Sequence, residues 1–390
     1  MKSNQLLKFV IAALSLAAAG FVRPTAHAQS AIFQQNENGQ ALGLDTCGMQ
    51  HFASNTNLWT RSEVHALDCN NNSYLADVSN WNISTYPNGA TFNVTIPPTS
   101  RAADLPQGAH LNESVAVGNL TINAGALLTY DANNSGGAGA HSVNFTLNGG
   151  TLTNNGTLKS IGPTEAGQTY TFAVNTLLTG SGISNFGYGT VLTGPGILTI
   201  ASTQNVIGGG NVTSDLPLVN HGVITADGSS GFFGHNLITF MNSQITNTGT
   251  IQTTAGGAIQ LLANVTINNT GGTLRASSSD RFNIFSGATI TGGTLVSTSN
   301  DPSRDELFYI TTATLNGVAI ATGTRIRVDG GILTLNGAIA NNGQINFANT
   351  QNQAGTGRFN IASDTTFSGT GSTIINGSPN TIAPGKTLTL

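Results

Sequence analysis

The residues with the most chemistry to offer stand near the front of the chain. Cys47, His51, His65 and Cys69 follow the spacing C-x3-H-x13-H-x3-C. Two thiolates and two imidazoles can hold Zn²⁺ tetrahedrally, and on helical turns each Cys/His pair, four residues apart, would share a face. The same two cysteines are the whole cysteine complement of the chain. An even count behind an export signal is read first as a disulfide. A Cys47–Cys69 disulfide is therefore the expectation, with zinc, or free or intermolecular thiols, as the alternatives. A bridge over a loop of that size would contribute on the order of 3 kcal/mol by restricting the unfolded chain.

Catalytic groups are harder to assemble. Cleaving a polysaccharide takes two or three clustered carboxylates, often with a Lys or Arg beside them. From Ala132 to Ser279 the acids are Glu165, Asp215 and Asp227, and the bases are Lys159 and Arg275. Only Asp215 and Asp227 have a spacing that could bring them together, and they read better as loop ends. His141, His221 and His235 are scattered and read as loop or corner residues. Gly-x-Ser-x-Gly is absent from any strand-to-helix context, and Gly208-Gly209-Gly210 sits among strands as corner punctuation, outside any phosphate-binding frame. The charged stretch from Asn300 to Glu306 reads as a solvated loop, since two carboxylates and a proline do not make a calcium site. No catalytic residue, cofactor or calcium site is expected.

At the start of the chain, residues 1–28 read as a signal peptide. Lys2 and Lys8 precede an apolar run from Phe9 to Gly20, and Ala26-His27-Ala28 offers the small-x-small cleavage pattern. The run is shorter than the ~20 apolar residues that cross a bilayer. Without Lys2, Lys8 and Arg23 the 13 basic residues become 10 against 17 acidic, a net charge of −7. That balance, with no basic patch, excludes nucleic acid as a partner. Charged residues make up 8% of the chain, against a usual ~25%. Gly, Asn, Thr and Ser take their place, but aliphatic residues recur throughout, so the chain has a core to build.

Those aliphatic residues come in a repeated phrase: Asn, a small residue, Gly, then alternating aliphatic and polar residues. It reads NNGTLKS at Asn154, NHGVITA at Asn220, NTGTIQT at Asn247 and NTGGTLRA at Asn269, with looser copies at Thr291, Asp329 and Asn341. Gly222, Gly249, Gly272 and Gly293 return at similar but irregular intervals. Each phrase is a turn followed by a short strand, and helical periodicity is missing after Val115. An irregular period in the low twenties fits one coil of a parallel β-helix. Stacked Asn side chains would then form amide ladders. The expected fold is all-β: a right-handed parallel β-helix over 107–390, roughly 60 Å long at ~4.8 Å per rung. The four glycines should mark equivalent corners. Residues 29–106, with both cysteines and both tryptophans, are expected as a small N-terminal cap.

Two further segments carry a family resemblance. Ser79-Asn80-Trp81-Asn82, Pro87-Asn88-Gly89 and Phe92 to Ile96, continued by Val115 to Tyr130, resemble the opening of a repeat module found in autotransporter passenger domains and adhesins of exported bacterial surface proteins. The runs GATITGGTLVS and ATLNGVAI are similar to the internal repeats of such proteins. The resemblance covers about Asn80 to Leu390. It implies a secreted or cell-surface structural or adhesive rod whose partners are cell-surface, matrix or glycan ligands, or sister molecules. The alternative is a β-helix polysaccharide lyase or glycosidase. Autotransporters continue into an outer-membrane barrel, whereas this sequence stops at Leu390 inside a repeat strand, so a fragment of a longer product is expected.

Overall fold

The computed structural model describes residues 90, 92–96 and 114–390, apart from 132–142, 162–167, 188, 229–236, 255, 278–280, 286, 299–307, 348–356 and 376–379. Upstream it describes the backbone alone of five short strands: Gln29–Ile32, Ala41–Leu44, Gln50–Phe52, Ser73–Tyr74 and Ala109–Leu111. The signal segment, Cys47, His65 and Cys69, and the 300–306 loop lie outside these residues, and His51 is described only as backbone in Gln50–Phe52. The expected disulfide and its zinc alternative therefore fall outside the described region.

The described residues contain no α-helix. Short strands alternate between inward aliphatic and outward polar positions; Thr250–Thr254, for example, buries Ile251 and Thr253 and turns its other three residues outward. Such a strand can bury one face only against its own copies, so the chain coils and stacks. Each rung has three sides. The first side is a 12-stranded sheet, one strand per rung, and the second and third sides join into a 26-stranded sheet. Strands pair in parallel with the rung before and the rung after. Along the first side Val115 aligns with Phe145, then Tyr170, Leu192, Ser214, Phe240, Leu261 and Ile284. Rungs differ in length: the one from Ile310 to Val328 is short, and the one from Val115 to Phe145 is long. The chain is a parallel β-solenoid, as its repeats predict.

The four glycines lie at one corner, between the second and third sides. They immediately precede Val223, Thr250, Thr273 and Thr294, which align in register. The stack leaves no room there: a Cβ on Gly249 would come 2.1 Å from the Gly222 carbonyl oxygen. At Gly293 the φ of 68° adds a second reason for glycine. The turn phrase is not tied to that corner, however. Asn341-Asn342-Gly343 leads into the first-side strand Gln344–Asn346, and Asp329-Gly330-Gly331 leads into the second side. The phrase encodes a local bend that the solenoid uses wherever a corner is needed.

Extra length also has a preferred place. Through the first nine rungs the first-to-second and second-to-third corners stay short. The third-to-first corner stretches from Asp131 to Val143, from Asp227 to Leu237 and from Thr298 to Phe308. Upstream, Gln29–Ile32 pairs in parallel with Phe92–Ile96, which pairs with Leu120–Ile122 and buries Val94 and Ile96. Parallel stacking thus already includes part of the segment before residue 106. Ala41–Leu44 and Gln50–Phe52 form a separate antiparallel pair.

Candidate functional site

The second-to-third corner is held from inside by amides. Asn220, Asn247 and Asn269 are each fully buried. Asn220 Nδ2 donates to Asn247 Oδ1 at 2.7 Å, and Asn247 Nδ2 donates to Asn269 Oδ1 at 2.6 Å. At Asn220 the backbone of the same rung closes on the side chain, since Gly222 N–H donates to Asn220 Oδ1 at 3.1 Å, and Asn247 Nδ2 donates to the Gly249 carbonyl at 3.3 Å. The Gly N–H to Asn Oδ1 bond recurs from Gly156 to Asn154 and from Gly343 to Asn341. One asparagine therefore both makes its turn and ties it to the next, the ladder expected of stacked Asn corners.

This ladder flanks a regular surface among the described residues. On the outer face of the second side, Thr266, Thr289, Thr314 and Thr334 succeed one another in register. Beside them run Asn268, Thr291, Asn316 and Asn336. Gln244 and Thr246 extend both columns upstream, and Asn360 extends the first downstream. All are exposed or half-exposed. The residues between the columns, Ile245, Ile267, Ile290, Leu315 and Leu335, point inward and are at most 2% exposed. The face is thus a double row of hydroxyls and amides with no charge and no aromatic ring, fixed to a close-packed core. Its signal was in the sequence as the tripeptides Thr266-Ile267-Asn268, Thr289-Ile290-Thr291, Thr314-Leu315-Asn316 and Thr334-Leu335-Asn336. Reading the glycines as the repeat unit passed over them.

A second polar cluster lies on the outer face of the first side. The Arg327 guanidinium sits 5.8 Å from the centroid of the Tyr309 ring and bonds Asp329 at 2.9 Å, and the Tyr309 hydroxyl donates to Asp329 at 3.1 Å. Phe285 meets the same ring edge-on at 6.1 Å. Burial, and then the neighbouring Asp329 carboxylate, raise the Tyr309 hydroxyl above its ordinary pKa. Tyr309 and Arg327 face each other across adjacent rungs. The cluster ties one rung to the next.

The remaining candidates disperse. Asp215 follows the first-side strand Asn211–Ser214, whereas Asp227 ends the third-side strand Val223–Asp227, so the two acids occupy different corners. His221 is an exposed corner residue whose Nδ1 lies 2.7 Å from Thr248 Oγ1. Gly208 to Gly210 turn the chain from the third side to the first, with Gly210 at φ 96°. His141, Glu165 and His235 lie outside the described residues. Among the described residues no three of His, Cys, Asp and Glu gather as metal ligands. No family, no curated protein and no solved structure matches the chain.

Proposed function

We propose that the chain is an exported, surface-exposed structural and adhesive rod, of the passenger-domain kind, that works by presenting its faces rather than by catalysis. The observation that carries this reading is the double row of Thr, Asn and Gln on the second side. It repeats over at least five rungs on a closely packed stack, where a β-helix enzyme would instead gather carboxylates on one face. The proposed partners are extended, uncharged surfaces, glycan or otherwise, that can meet many weak groups at once; each hydrogen bond is worth about 1 kcal/mol, so contact must be spread to hold.

The test joins two readouts. The full chain is expressed with its N-terminal signal segment in place and the cells are fractionated, then the purified chain is incubated with insoluble polysaccharides. The expected result is protein at the cell exterior that sediments with a solid surface and releases no new sugar ends. Release of reducing or unsaturated ends would move the reading to the carbohydrate-active enzyme, and protein retained in the cytoplasm would remove the surface role.

A further inference from the structure

We propose that the Thr/Asn face of the second side binds ice. This rests on the adhesive reading and deepens it, because it names ice as the solid surface that the same two rows meet. The face is periodic in two directions: ~4.8 Å from rung to rung, and ~6.7 Å between outward residues two apart on a strand. Thr266, Thr289, Thr314 and Thr334 form one row and Asn268, Thr291, Asn316 and Asn336 the other, so four consecutive rungs repeat the same pair of positions. A ligand that does not itself repeat could use only a fraction of this array.

The composition of the face narrows the occupant. An acidic polymer would be met by Arg or Lys, and the array has neither. Sugar rings are usually gripped by stacking on an aromatic side chain, and among these positions there is none. A second copy would cover only roughly 300–400 Å² of the two rows, estimated from those spacings, against about 800 Å² per partner in a stable pair.

Ordered water fits what remains. Threonine is stiff at χ1, so each Thr holds one hydroxyl and one methyl in a fixed direction. The backbone beneath it is anchored by side chains at most 2% exposed. Hydroxyls fixed in this way can keep water in a lattice before contact, with little entropy left to lose on binding. The rung repeat is also close to the shorter lattice repeat of hexagonal ice.

The experiment grows polycrystalline ice slowly through a solution of the full chain and compares the protein in the ice with that left in the liquid. The wild-type chain is expected to concentrate in the ice. The double variant Thr289→Tyr/Thr314→Tyr, bulky at the centre of one row, should fall to the level of a protein that does not bind ice. Thr289→Val/Thr314→Val, which keeps the shape and removes the hydroxyls, should fall partway. Thr213→Tyr, outward on the first side, should match wild type. Circular dichroism and thermal melting of each variant confirm that the stack is intact. Exclusion of the wild-type chain from ice, or equal uptake of wild type and the Tyr double variant, would overturn the proposal. The same preparations are sedimented with microcrystalline cellulose and chitin. Polysaccharide binding with exclusion from ice would end the ice proposal and leave the adhesive rod standing, whereas binding to neither would count against both.

Discussion

Counted from Val115, rungs three to five (residues 168–227) and rungs six to ten (residues 237–341) are built on the same plan and finished differently. In the earlier set Leu192 and Val206 keep 8% and 6% of their surface exposed, and a cavity of about 30 Å³ lies between Phe186, Leu192, Val206, Val212, Ser214 and Phe240. Its cause is legible in the register. One inward column runs Phe186, Gly208, Ala226, and the next runs Leu192, Ser214, Phe240, so the small residues Gly208 and Ser214 lie on either side of one third-to-first corner and both line the cavity. In the later set Ile251, Leu274, Phe282, Ile290 and Leu295 are wholly enclosed, and Phe282 stacks on Phe308 at 5.3 Å. The outsides differ in parallel. Val174, Leu177, Ile183 and Ile197 are 37–43% exposed in the earlier rungs, where the later ones carry the Thr and Asn rows. A solenoid rung thus answers chiefly to its neighbours, and packing quality can change within a few rungs without altering the fold.

The sharpest way to break this contrast is to make the same deletion in each half. Leu274→Ala should cost about 4–5 kcal/mol, at the upper end for a leucine with no slack around it, and Leu192→Ala about 3 kcal/mol. Urea unfolding of the two variants decides it, and equal losses would mean that the halves are packed alike. Asn247→Ala should come next, at roughly 2–3 kcal/mol, because it leaves the buried amides of Asn220 and Asn269 without their shared partner. An outward substitution such as Thr266→Ala is the matched control and should change stability by less than about 0.5 kcal/mol.

A pH experiment addresses the front of the rod. Tyr170 is fully enclosed between Phe145 and Phe186, with its hydroxyl 3.0 Å from Ser160 Oγ. Burial pushes that hydroxyl far above the ordinary tyrosine range, against a smaller downward pull from the Ser160 bond. The folded form therefore holds its proton more tightly than the unfolded form. The stability this contributes is complete below pH ~10 and is lost as pH rises beyond it, by up to about 1.4 kcal/mol per pH unit. Tyr170→Phe should lose about 1 kcal/mol at neutral pH and flatten the alkaline slope; melting curves at pH 8 and 11 would show it. The smallest expected effect is a gain. Ser214→Val fills the cavity, which at ~24 cal/mol per Å³ costs roughly 0.7 kcal/mol. A loss instead would show that the space is needed by its surroundings.

Much of this architecture could be read before any coordinates. The spacing of Gly222, Gly249, Gly272 and Gly293 predicted both the coil and the shared corner, because a turn that cannot admit a Cβ leaves a mark in residue type. The amide ladder followed from Asn at the same corner. What could not be read was which corner a given phrase serves: Asn341 makes the same local hydrogen bond as Asn220, yet turns the chain between other sides. Local chemistry fixes a bend, whereas its address depends on the lengths of the strands around it. The Thr/Asn face was missed for a related reason. Neighbours within a row, such as Thr289 and Thr314, are a whole rung apart along the chain and become a surface only when the register is known.

The preference for extra length at the third-to-first corner has a consequence for how such a molecule can change. Between Thr298 and Phe308, or between Asp227 and Leu237, residues can be added or exchanged while Leu274 still meets Leu295 and Thr289 still meets Thr314. The edge then works like the margin of a ruled page, open to writing that leaves the lines straight. Peptides grafted there, rather than at the corner of buried asparagines, should be displayed at chosen heights along the rod without disturbing its count of rungs.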